Sequence, residues 1–298
     1  MGSVFEIVLS SVAPVFAVMA LGFYFGRKGT FEIKYFVDFV IYIGIPSLVV
    51  GSLGQHHVDP ELMLMTGAGC LFVVTCCGLM ALVWSRFSGD KGKDLFVCAM
   101  FANAANLPFP LALYAFGPDA LSFQVVYMAT NATLMYTVGV AIVTGGSGKG
   151  VFHFLKLPLV YASIIGVSLS ASEVTLPDVI LRPVSMLGDT VVPLLLFTLG
   201  YKIATSRPKA LSLATPIAVI RIVGGGAAGL AFCLIFDPQL EVRRAILLAS
   251  FMPSAVQTFM LTAKFTAQAD RAAAAVFLST VAAIMYLPVL VGWLSTLA

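Results

Sequence analysis

The chain has 298 residues, 60% of them hydrophobic and 10% charged, with a formal net charge of +3 and a mean hydropathy of +1.01. Soluble domains carry about 25% charged residues, so this composition excludes a soluble globular protein and points to an all-α, polytopic protein of the lipid bilayer. Cys70, Cys76, Cys77, Cys98 and Cys233 lie inside apolar runs with no CxxC or Cys/His spacing, so no disulfide frame, metal site or cofactor is expected, nor a nucleic-acid partner.

Ten apolar segments follow one another, at roughly 3–26, 33–53, 61–85, 94–116, 119–144, 154–172, 177–203, 209–236, 240–264 and 271–297. The first has no basic region before it and runs through Phe25, so it reads as a span and not as a cleaved signal. Gly22 and Gly26 lie one turn apart and allow close helix approach, as do Gly225 and Gly229 in the eighth segment; plain packing accounts for both pairs. Glu6 and Asp38 fall within a turn or two of a span end and read as interfacial, although a coupling role stays open for Asp38. His56, His57 and His153 lie in or beside loops and read as solvated.

The fourth segment carries the most chemistry. Its middle reads Phe101-Ala-Asn-Ala-Ala-Asn-Leu-Pro-Phe-Pro-Leu111. Pro108 and Pro110 lack an N–H and clash one turn back, which predicts a broken helix. Broken backbone at membrane depth survives only where protein or a cavity satisfies the freed groups. One proline would read as a packed kink; with Asn103 and Asn106 added, the stretch reads as a binding site.

The connection Thr144-Gly-Gly-Ser-Gly-Lys-Gly150 fails the phosphate-loop fingerprint, with Val143 in place of the first glycine and Gly150 in place of Ser or Thr. It reads as a flexible linker between residues 1–144 and 154–298, each with five spans. At an offset of 150, Phe101, Ala105, Phe109 and Leu111 fall on Phe251, Ala255, Phe259 and Leu261, and Pro46 has a counterpart in Pro193. Two five-span units in one chain lie upside down to each other, and inverted repeats mark secondary transporters with a site where broken helices meet. The partner stretch is then Phe251-Met-Pro-Ser-Ala-Val-Gln-Thr-Phe259, where Pro253 breaks the ninth segment and Ser254 and Gln257 add polar groups. At 1.5 Å per residue Asn106 lies roughly 20 Å from Lys93, and Pro253 roughly 16 Å from Lys264, so both breaks fall near midplane.

Thirteen of the seventeen Lys and Arg residues lie in odd-numbered connections, and three (Arg182, Arg243, Arg244) in even ones. This places the odd connections in the cytoplasm and both termini outside the inner (plasma) membrane. Asp189 and Arg221 lie deeper, roughly 18–20 Å from the inner face. One or both are expected to line a cavity, Arg221 attracting an anion and Asp189 carrying a coupling proton; a structural pair is the alternative. Each broken helix presents one positive and one negative end, so dipoles alone choose no sign of ligand. Asn103, Asn106, Ser254 and Gln257 are neutral, and neither break contains Asp or Glu, which favours a small carboxylate anion.

Several motifs match a known family. Asn103, Pro110 and Gly117 are spaced by seven, and Met252-Pro253-Ser-Ala stands with Phe259 and Lys264-Phe265. Leu187-Gly-Asp-Thr-Val-Val-Pro193, Leu199-Gly200 and Arg221-Ile-Val-Gly224 complete the set. Over nearly its whole length the chain resembles the auxin efflux carrier family, as a bacterial relative of the plant PIN carriers. The resemblance implies ten transmembrane helices as two inverted five-helix repeats, with crossed broken helices four and nine in a bile-acid-carrier-like arrangement. It also implies a homodimer and an elevator movement of spans three to five and eight to ten against spans one, two, six and seven. Asn103 matches the crossover asparagine that binds the substrate carboxylate. Pro108 departs from the family's usual glycine before x-Pro, and Gln257 from the asparagine frequent in bacterial members. The long cytosolic loop of many plant carriers is absent. Within transporters, a Na⁺-coupled organic anion symporter resembling bile-acid carriers is the other reading. An intramembrane aspartyl protease lacks its Tyr-Asp and Gly-x-Gly-Asp pairs, and no Gly-x-Ser-x-Gly or His-Glu-x-x-His occurs. Crossed inverted repeats argue against a channel.

Overall fold

A computed structural model describes residues 4–29, 32–55, 59–146, 158–172, 176–206 and 211–297. The three histidines, the linker beyond residue 146, the loop cations Lys149, Lys156, Arg207 and Lys209, and the side chain of Glu6 lie outside what is described. Among the described residues the architecture is all-helical: α1 (Val4–Lys28), α2 (Ile33–Gln55), α3 (Pro60–Ser88), α4 (Lys93–Met100), α5 (Pro108–Phe116), α6 (Pro118–Thr144), α7 (Pro158–Ala171), α8 (Asp178–Thr205), α9 (Leu211–Phe236), α10 (Leu240–Ser250), α11 (Val256–Phe265) and α12 (Ala269–Ser295). Six of these, α2, α3, α6, α8, α9 and α12, are long and apolar enough to cross a membrane. The chain is a multi-pass membrane protein.

The outside of the protein is apolar as well as its core, and some polar side chains are buried. Leu64 and Phe87 are 75% and 87% exposed, whereas Thr66, Gln124, Ser250, Thr258 and Ser279 are fully buried. Lipid tails solvate the apolar outside, and the polar groups inside need protein partners.

Local signals explain the element boundaries. Asp59 caps α3, its Oδ1 accepting from the Glu61 N–H at 2.8 Å, with Pro60 at the first helical position. Pro46 cannot donate one turn back, and α2 widens into a π turn over Val40–Gly44 just before it. Pro193 likewise has no N–H for the Asp189 carbonyl, and α8 is interrupted at Thr190. Gly117, at φ 92°, makes the sharp turn from α5 into α6, a conformation that disfavours any side chain.

Two groups of helices pack closely within themselves. α1 lies along the second half of α8, and α2 packs on α7 and on the first half of α8. α3, α6, α9 and α12 surround the short helices α4, α5, α10 and α11. The α1–α8 contact is backbone to backbone: a Cβ on Gly200 would stand 1.9 Å from the Met19 carbonyl oxygen, and one on Gly22 2.1 Å from that of Phe197. Gly200→Ala is therefore expected to force these helices apart and to cost about 1–3 kcal/mol. A thermal melt in detergent checks it, and an unshifted curve would mean that the two helices do not meet at this point.

One end of the bundle is basic. There Arg271 of α12 grips Asp94 of α4 through two nitrogens and Asp90 through a third at 2.6 Å, and Lys93 donates to the Val143 carbonyl at 2.9 Å. Gly26 of α1 packs on Tyr201 and Ala204 of α8 at the same end.

Candidate functional site

The two interrupted helices meet at their breaks. α4 stops at Met100, Phe101 turns extended (φ −103°, ψ 119°), and helix resumes as α5 at Pro108. α10 stops at Ser250, Ala255 is extended (ψ 137°), and α11 begins at Val256. The extended strips run antiparallel. The Asn103 N–H donates to the Pro253 carbonyl at 2.7 Å, and the Ala255 N–H to the Phe101 carbonyl at 3.0 Å. Other freed groups are also met. Gln124 Nε2 donates to the Ala104 carbonyl at 3.2 Å, and Asn131 Nδ2 to the Ala102 carbonyl at 3.0 Å. Both amides come from α6.

The prolines have a different place from the one the sequence predicts. Pro108 and Pro110 do not stand in the break. They open α5, at positions where a missing N–H is no loss, and the irregular backbone lies before them at residues 101–107. Pro108, Pro110, Pro253 and Ser254 are buried and do not line the cavities at the crossing. The Ser254 hydroxyl donates to the Cys98 carbonyl at 2.7 Å, and its N–H to Ser279 Oγ at 3.1 Å. These four residues shape the crossing.

Arg221 is 0% exposed and is not among the residues lining the five cavities found among the described residues. It sits in a π turn of α9, Ile220–Gly224. Its Nη1 donates to the carbonyls of Met100 (2.8 Å) and Ala99 (3.3 Å), and its Nη2 to that of Ser250 (2.9 Å). One guanidinium thus closes the C-terminal ends of both α4 and α10. Gly225 makes the room, since a Cβ there would stand 2.0 Å from Nη2. The expectation that Arg221 faces a cavity gives way to this capping role. Asp189 does not pair with it. It is exposed, on the wall of a groove of about 330 Å³ with Ser47, Gln55 and Ser185. Asp38 is half-buried and is not among the residues lining these five cavities.

Beside the crossing lies a cavity of about 70 Å³, bounded by Asn103, Asn131, Ala255, Gln257, Ile45 and Tyr136 among others. Asn103 Oδ1 accepts from the Asn106 N–H at 3.3 Å, which fixes the amide with Nδ2 free. That Nδ2 is buried with no hydrogen-bond partner among the described residues, and Asn103 is only 3% exposed. Asn131 Oδ1, on the same cavity, is also unpartnered. The first two N–H groups of α11, at Val256 and Gln257, are orphans of the helix start. Gln257 also borders a second cavity of about 50 Å³, with Asn106, Thr198 and Lys202. Asn103, Asn106 and Gln257 are therefore brought together by the crossing. Gln124 and Asn131 escaped the sequence reading. They lie seven residues apart, two turns along one helical face in an apolar span, and that spacing was the available signal.

The comparisons with known proteins agree with a transport role. A family profile described as membrane transport protein matches residues 7–153 and 149–291. An uncharacterized transporter of Methanocaldococcus jannaschii is 23% identical over 303 residues, covering 95% of this chain and 97% of that protein. With matches on both sides of the linker and through both helix breaks, the chain belongs to the membrane transport protein family, that of the auxin efflux carriers.

Proposed function

We propose that this transporter moves small organic anions by secondary active transport, with the solute held where α4–α5 crosses α10–α11. The observation that supports an anion is the placement of Arg221. A broken helix offers a positive and a negative end, so two of them are neutral in sum. Here one buried cation occupies both negative ends, at Met100 and Ser250. What remains open to the cavity is the positive start of α11 and the free Nδ2 of Asn103, beside one acceptor, Asn131 Oδ1. The first two are donors and outnumber the acceptor, and a carboxylate needs donors.

In this reading each interrupted pair is one crossing, giving ten spans in two inverted five-span repeats with both termini outside the cytoplasm. α1, α2, α7 and α8 form a scaffold in a homodimer, and the remaining helices carry the solute as an elevator. The cavity of about 70 Å³ is then a closed form of the site. The test is a thermal-shift screen of the detergent-purified protein against mono- and dicarboxylates. A ligand at 100 times its Kd adds about 2.7 kcal/mol. A carboxylate that shifts the parent protein should stabilise Asn103→Ala by only about half as much or less at the same concentration. A shift that vanishes when K⁺ replaces Na⁺ would assign Na⁺ as the coupled ion. A panel that shifts neither protein, with cationic solutes shifting the parent, would overturn the anion reading.

A further inference from the structure

Lys202 stands three residues before the end of α8 at the basic end of the bundle, and its side chain is half-buried. It borders two cavities at once. One is the inner cavity of about 50 Å³ that reaches Asn106 and Gln257. The other, of about 320 Å³, lies between the ends of α8, α11 and α12 and has apolar walls at Leu199, Ile203, Phe259 and Phe277. Gln257 in turn borders the cavity at the crossing. The three spaces therefore form a series from the basic end to the orphan amide of Asn103, and Lys202 stands between the first and second.

The ammonium has no carboxylate within 4.0 Å among the described residues. Asp270 lines the outer cavity from α12 but does not pair with it. Neighbouring cations at this end are engaged: Arg271 by Asp90 and Asp94, Lys93 by a carbonyl, and Lys264 over the ring of Phe265. A half-buried cation without a counter-ion is costly in a low-dielectric wall. A lysine that merely snorkels extends to the interface, whereas this one also lines the inner cavity. Apolar walls with a few polar or charged groups, here Lys202 and Asp270, are the make-up of a small-ligand pocket.

We propose that Lys202 and the α11–α12 wall form an entry site in which an organic anion with an apolar body is held by the ammonium before it passes Gln257 to the crossing. The proposal rests on the anion reading of the crossing but is tested apart from it. Met260 borders both cavities and is exposed, so Met260→Cys is a reporter at the entry site. The protein's own cysteines are buried or half-buried and give the background. The measurement is the rate of labelling of Met260→Cys by a sulfonatoethyl and by a trimethylammonioethyl methanethiosulfonate. The ratio of the two rates cancels any change in thiol acidity or access.

The negative reagent is expected to react faster, and Lys202→Gln to lower the ratio by roughly tenfold or more, within the range by which charged clefts enrich a counter-ion. Lys202→Arg, which keeps the charge, should keep the ratio. A ratio unchanged in Lys202→Gln overturns the entry site, even if carboxylates still shift the melting of the parent protein. A ratio that falls, in a protein that no carboxylate stabilises, keeps the entry site and removes the anion from the crossing. If Lys202→Gln does not give folded protein, Lys202→Met read against Lys202→Arg makes the same comparison.

Discussion

Arg221→Met lowers the stability of the detergent-solubilised protein by about 3–5 kcal/mol, the cost of breaking a buried charged hydrogen-bond set by removing one side. The reason is the three carbonyls of Ala99, Met100 and Ser250, which lie at the buried ends of α4 and α10. Methionine fills the volume and supplies no donor. Melting should fall by roughly 10 °C, given about 2–4 °C per kcal/mol for domains of about 150–250 residues and somewhat less for a longer chain. Arg221→Lys keeps the charge but not the fork that spans two helix ends, so it should fall between the parent and Arg221→Met. A role in gripping solute makes a different forecast: stability would hold in both variants and a carboxylate-induced shift would be lost. Arg221→Met melting with the parent protein would therefore refute the capping role. Gly225→Ala provides an independent check, since its methyl group enters the guanidinium's space without altering the charge.

Much of the transmembrane organisation is legible in the residues, because a span needs about 20 apolar residues and punctuation between them. The six long apolar helices match segments that hydropathy marks to within three residues at each end, and the short pairs α4–α5 and α10–α11 fall where Pro108, Pro110 and Pro253 mark breaks. The exact form of the breaks was not legible. Proline announces that a helix cannot continue through it, yet it serves equally as the first residue of the next one. The irregular stretch therefore lies at residues 101–107, ahead of Pro108. Arg221 was found by its depth, but its partners are main-chain carbonyls, which leave no trace in side-chain identity. Asp189 lies at comparable sequence depth and is exposed, because depth along a helix says nothing of which face a residue occupies. By charge distribution Lys202 is one of the thirteen cations counted in the odd-numbered connections, and only the packing of α11 and α12 places it against cavities.

Asn103→Asp is the substitution with the largest expected effect on binding. The two side chains have the same shape, and the oxygen that accepts from the Asn106 N–H is retained, so the loop from Phe101 to Leu107 keeps its turn. The change falls on the free Nδ2, where a donor becomes part of a carboxylate. That carboxylate lies on the same cavity wall as the open start of α11, which favours a negative charge by about 0.3–1 kcal/mol or more when partly buried. The variant should therefore melt below the parent protein, because the helix start offsets only part of the several kcal/mol that burying a carboxylate costs. Its consequence for solute is severe: a second carboxylate meets repulsion as well as a lost donor. Asn103→Ala removes the donor alone and should weaken binding roughly 10- to 100-fold, the worth of a hydrogen bond to a charged group. Asn103→Asp should abolish carboxylate binding in the thermal-shift titration and transport in proteoliposomes. A site built for Na⁺ or another cation orders these variants the other way, with Asn103→Asp binding more tightly than the parent. Either that order or an undiminished carboxylate shift in Asn103→Asp would remove the anion from the crossing.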